Sequence, residues 1–246
     1  MSKIINNNPF GSAIQDQPKL KAGSMANAFL SKVFILMTFG LGITGATAWW
    51  FATNYLANPW QAAEILSGPM LWVLMLGPLA FVLIISLFIH RMSYLFATLM
   101  FIAFSVIMGL SVSTIFITYD LGSIFQVFLI AGGTFAVMAF IGATTKLDLT
   151  KIGNILYMAL IGIILASIVN IFMGSSALSF GISILGVLIF AGLTAYDTQK
   201  MLRIGAMVGT QGETAGKMAI IGALSLYLDF INMFLFLLRI FGGVNE

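Results

Sequence analysis

Two aspartates occupy stretches where water should be scarce. Asp197 lies near the end of the apolar run "GLTAYDTQK", residues 192–200, and Asp229 in the middle of "ALSLYLDFINMF", residues 223–234. A carboxylate at the centre of a spanning helix costs about 2.5–3.5 kcal/mol on insertion scales, so such residues are rare and face the bundle interior or a water-filled path. Two that meet at low dielectric cannot easily both ionise, and they share one proton near neutrality, which makes a pH sensor. Ionised, they form a hard oxygen site suited to Ca²⁺, a metal contact made transiently, with carbonyls and waters completing the shell. A simpler alternative exists for each. Asp229 can be a protonated carboxyl that only joins helices, and Asp197 can be solvated at a helix end, with Lys200 within one turn.

The neighbours of both residues bear on this choice. At helical spacing Gly222, Ser225, Asp229 and Asn232 share one face, and Thr194, Asp197 and Thr198 make a second polar patch. Small residues let helices approach closely and polar ones bond across the contact, so the helix carrying Asp229 is expected inside its bundle. Arg91 ends another apolar run and has two readings: a latch that pairs with one carboxylate, or an anchor whose charge snorkels to lipid headgroups.

The elements that must position these groups follow from composition. The chain is 60% hydrophobic and 8% charged, with mean hydropathy +1.07. Soluble domains carry roughly 25% charged residues, so this chain cannot cover a water-facing surface. The net charge of +3 is then no argument for nucleic acid. Without cysteine there is no thiol or disulfide chemistry, and the lone His90 makes no histidine-built metal site. No cofactor is expected.

A spanning helix needs about 20 mostly apolar residues. Charges, Pro, Gly and Asn divide the chain into seven such runs, at 31–55, 69–90, 94–118, 122–143, 153–173, 177–200 and 218–241. The expected fold is therefore an all-α membrane protein, a seven-helix bundle with the seventh helix central. It forms one transmembrane domain, residues 29–246, behind a flexible polar tail, residues 1–28. The tail lacks the early apolar segment of a signal peptide and has too little apolar surface to order itself. The runs are too long and uniformly apolar for barrel strands, and no internal repeat is visible. With the N-terminus cytoplasmic, ten of the eleven Lys and Arg fall on inner segments and only Arg239 on an outer one, so the C-terminus is expected outside. Trp49, Trp50, Trp60 and Trp72 gather at the outer interface, as belt residues do.

At the two aspartates the chain resembles a known family. "AYDTQ" in the sixth run, a basic loop, and "LSLYLDFINMFLFLLRIFG" in the seventh look like the transmembrane Bax inhibitor motif family, bacterial inner-membrane branch. "IHRMSYLFATLMFIAFSVIMGLS" in the second and third runs also fits, and the likeness covers roughly residues 25–246. The resemblance implies a seven-helix inner-membrane protein with a pH-sensitive Ca²⁺ leak. It maps the family's aspartate pair onto Asp197 and Asp229, and a basic latch onto Arg91. Some members carry a glutamate in the second helix; here that run has no acid, so no step through such a residue is implied. One branch is linked instead to an ATP-dependent membrane protease, for which the tail would suit.

Three functions compete on these grounds. The first is the leak, with Asp197 and Asp229 as sensor and ion path, supported by Ser225, Asn232 and Thr194. The second is a non-transporting regulator that binds a membrane protease. The third, an intramembrane aspartyl protease, would use the same two carboxylates, but Tyr227 and Leu228 before Asp229 would crowd a substrate backbone. A non-enzymatic role is expected. A retinal protein is excluded because the seventh run has no lysine past Lys217.

Overall fold

In hydrocarbon every backbone N–H and C=O must be satisfied within its own segment, so long apolar runs become helices. The structure, a computed structural model, describes the backbone of residues 9–244 and the side chains from Gly23 onward. Nine α-helices are found among the described residues. They are α1 (Pro9–Phe51), α2 (Pro59–Ser67), α3 (Pro69–Phe88), α4 (Tyr94–Val112), α5 (Ile115–Thr118), α6 (Leu121–Thr144), α7 (Thr150–Met173), α8 (Ser176–Val208) and α9 (Gly212–Phe241). Seven of them, α1, α3, α4, α6, α7, α8 and α9, are long and apolar enough to cross a membrane, in the places the sequence runs predict. A single π turn extends α1 to Leu56, and a short 3₁₀ turn over Ile89–Arg91 closes α3.

The boundaries are made by local chemistry. Ser93, Asp120 and Ser175 each accept a hydrogen bond from a backbone N–H in the first turn of the following helix, which satisfies a donor that the helix itself leaves open. Gly174 turns the chain from α7 to α8 at φ 61°, a left-handed conformation that favours glycine. The expected tail of residues 1–28 falls partly on residues 1–8, which lie outside the described residues. Packing against the bundle begins at Ala26 and Phe29.

Three helices run well beyond the apolar runs. α1 starts at Pro9 rather than 31, so residues 9–28, expected within the flexible tail, are helical. α8 continues from the expected end at 200 to Val208, and α9 starts at Gly212 rather than 218. Charge ends a membrane-spanning run but not a helix, because Lys, Met, Leu and Arg in "KMLRIGAMV" are good helix formers.

α9 is the central helix. In its most apolar segment 67% of residues are buried inside the protein, against 6–39% in the six other spans. It packs against α8, α1, α6 and α4. α8 in turn packs against α1, α6 and α7, and Gly142 lets α6 approach it so closely that a Cβ there would overlap the Ala195 carbonyl. α7 lies outermost, with α8 as its one substantial neighbour among the described residues. Leu, Ile and Met side chains such as Met158 and Ile161 are exposed along its outer face, as a lipid-facing helix requires.

Candidate functional site

The segment of α8 around Asp197 is almost wholly buried: Thr194, Asp197, Thr198 and Gln199 all lie inside the protein. Asp229, near the middle of α9, is 4% exposed and Asp197 2%. Both line one cavity of about 330 Å³ between α7, α8 and α9. Its other polar lining is Ser225 and Asn232 from α9 and Tyr157 and Ser167 from α7. The helical face read from sequence therefore points, at three of its four positions, into the space that Asp197 also enters. Gly222, the fourth, packs against Met201 and Val33.

The two carboxyls are held differently. Tyr157 donates its hydroxyl to Asp197 Oδ1 at 3.3 Å, and its ring stands edge-on to Tyr196. Asp229 Oδ2 is buried and has no hydrogen-bond partner. The two groups are within electrostatic reach of each other and of Lys200, which lies over the Tyr196 ring. No basic side chain among the described residues lines the cavity. Among the described residues no cluster of three metal-ligating His, Cys, Asp or Glu forms. A hard cation entering here would meet two carboxylates with the side-chain oxygens of Ser225 and Asn232.

Two expected participants stand elsewhere. Thr194 is buried, but its hydroxyl donates to the Phe190 carbonyl one turn back in α8 and it does not line the cavity. Arg91 is exposed on the turn after α3 and makes no ion pair among the described residues. The basic tether at that turn comes from α9: Lys217 donates to the Met92 carbonyl at 3.2 Å and also meets Glu213 at 3.5 Å.

Three residues absent from the sequence reading also shape the site. Tyr157 and Ser167 enter it from α7. Gln199, two positions after Asp197, clamps the α6–α7 loop: its side-chain amide donates to the Leu147 carbonyl at 2.8 Å, and its carbonyl oxygen accepts from the Leu149 N–H at 3.0 Å. Arg203 completes the clamp with hydrogen bonds to Asp148, Thr150 and Gln199. The Thr150 hydroxyl and the Arg203 guanidinium hold the Asp148 carboxyl well below the usual carboxylate range.

The chain as a whole has close counterparts among bacterial membrane proteins. Residues 26–246 match the family model described as "Inhibitor of apoptosis-promoting Bax1". The chain belongs to the Bax inhibitor family. It is 43% identical to the inner membrane protein YbhL of Escherichia coli over 218 residues, covering 87% of this chain and 91% of that protein. It is 46% identical to an uncharacterised protein of Borreliella burgdorferi over 88% of this chain and 92% of that one, and 40% identical to one of Deinococcus radiodurans over 89% and 92%. This family member is thus a multi-pass protein of the bacterial inner membrane, and the family match spans all seven crossing helices.

Proposed function

We propose that this Bax inhibitor family member is a pH-sensitive calcium leak of the inner membrane, gated by Asp197 and Asp229 sharing one proton. The observation that carries the reading is the meeting of both buried carboxyls in one cavity, with Asp229 Oδ2 unpartnered. Two carboxylates without a basic neighbour in the lining strongly disfavour double ionisation. One proton between them lets α7 stay closed over the two carboxyls, and its loss sets two like charges against each other in the cavity that α7 covers. Ca²⁺ is the cargo, drawn to the hard oxygens exposed when the helices part.

In this reading the N-terminus faces the cytoplasm, by the excess of Lys and Arg on that side. The tether expected of Arg91 passes to Lys217, which ties α9 to the turn after α3, while Arg91 anchors to headgroups. No catalytic role is assigned to the pair. Leu228 lines the cavity beside Asp229, whereas Tyr227 turns the other way, to Thr44.

The test is Ca²⁺ uptake into liposomes holding the purified full chain, measured from pH 5 to 8. The unsubstituted protein should show a steep change across this window, and Asp229→Asn should flatten it. A D229N protein that leaks with the unchanged pH profile would sink the proposal.

A further inference from the structure

The cavity has an uncommon combination of walls and floor. Leu160, Ile163, Phe190, Leu193 and Phe236 give it apolar sides, and the two carboxyls lie among them. It also reaches the side of the bundle. Ile164, one of its lining residues near the middle of α7, is 51% exposed, and Tyr157 is 38% exposed. α7 is outermost and both residues lie within its crossing segment, so an opening beside them faces the bilayer rather than either aqueous end.

The charges around the pair are few. From α7 comes only the Tyr157 hydroxyl. From α8 come Tyr196 and Lys200, neither of which lines the cavity, and from α9 no ionisable group besides Asp229 does. A pair that holds one proton carries a single negative charge, so this step rests on the function proposed above. Lys200 acts on the pair only from outside the lining, so the buried charge has no counter-charge in contact with it, and a cation that brings its own apolar body supplies one without admitting water. The volume lies at the lower end of the range for small-molecule pockets, about 300–1,000 Å³.

We propose that this cavity is a binding site for a lipophilic primary ammonium ion that enters sideways from the bilayer. Its ammonium group pairs with the Asp197–Asp229 carboxyls, its chain lies along Leu160, Ile163 and Phe236, and Ser225 and Asn232 offer further acceptors. An anion or a neutral alcohol of the same chain length lacks the charge that the floor demands.

The test uses the full chain in nanodiscs of zwitterionic lipid, with no ion gradient, and measures retention of radiolabelled octylammonium over empty nanodiscs. Octanol and octanoate, matched for mole fraction in the membrane, serve as competitors. Saturable retention that neither competitor displaces, and that falls at least tenfold in the D197N/D229N double variant, is the expected result. Ile164→Trp, which fills the mouth at a lipid-facing position while leaving both carboxyls in place, should also cut retention at least tenfold and carries the test alone if the double variant does not fold. Displacement by octanol equal to that by unlabelled octylammonium overturns the site, and so does retention within twofold of the unsubstituted chain in either folded variant. A chain that binds octylammonium but passes no Ca²⁺ removes the leak and keeps this site; one that leaks but retains no octylammonium removes this site alone.

Discussion

At the scale of single residues, the face of α9 opposite the cavity is held by one hydroxyl pair. Thr44 donates to the Ser105 carbonyl at 2.9 Å, which uses its only hydrogen, so the Tyr227 hydroxyl must donate to Thr44 at 2.6 Å. The Tyr227 ring meets Phe104 edge-on at 5.1 Å and is fully buried. Tyr227 thus pins the helix one residue short of Leu228 and two short of Asp229, and any rotation of Asp229 strains this bond. Thr44→Val leaves the tyrosine hydroxyl buried without a partner, a loss of about 1–3 kcal/mol. Tyr227→Phe removes the demand together with the group and leaves Thr44 bonded to Ser105. Thermal unfolding in detergent should therefore show the larger drop in T44V. An equal or larger drop in Y227F would mean that the ring's polar edge has a second use. The same rules explain what sequence alone discloses of the site. Ser225 and Asn232 were legible because helical periodicity places them with Asp229. Thr194 shares such a face with Asp197, yet a threonine inside a helix can bond its own preceding turn, and periodicity does not reveal that choice.

At the scale of elements, the loop between α6 and α7 is fixed by α8 rather than by itself. Gln199 satisfies one backbone donor and one backbone acceptor of that loop while only 9% exposed. Because it stands two positions after Asp197, the clamp also fixes where α7 begins, and hence where Tyr157 meets the carboxyl. Gln199→Leu strips the buried Leu149 N–H of its partner, at about 1–3 kcal/mol, and frees the Leu147 carbonyl, which water can reach. Hydrogen exchange at residues 147–153 should quicken by tenfold or more in Q199L, and unchanged exchange would show that the loop is held otherwise. Asp148 behaves differently with pH. Its carboxyl is held below the ordinary value of 3.8, so its contribution is present above that value and is lost only as pH falls below it. The Asp148–Arg203 pair is therefore intact across pH 5–8, and Asp148→Asn should leave the midpoint of the flux profile where it is. A moved midpoint would transfer the sensor from the cavity to this loop. None of the clamp was readable from sequence. The number and order of the spans were, because apolar length is a local property, whereas the choice of Gln199 over Arg91 or Lys200 as a tie depends on which helices are neighbours.

At the scale of the whole molecule, burial is graded from centre to edge: α9 is enclosed, α8 half enclosed, and α7 rests on α8 with its outer side to lipid. Such an arrangement opens at its least-held helix. The cavity lies on that boundary, lined from α7 on one side and α9 on the other, so separation of α7 from α9 would widen the path past both carboxyls without unpacking α9 from α1, α4 and α6. The absence of cysteine makes this testable on a clean background. Leu160 on α7 and Leu228 on α9 both line the cavity. A chain carrying Leu160→Cys and Leu228→Cys, joined by a short reducible bifunctional linker, cannot part these helices. Its Ca²⁺ flux in liposomes should fall at least tenfold after linking and return on reduction, while each single variant treated alike keeps its flux. Full flux through the linked protein would place the moving boundary elsewhere, with the α1–α6 groove around Phe34 and Phe135 as the next helix pair to join.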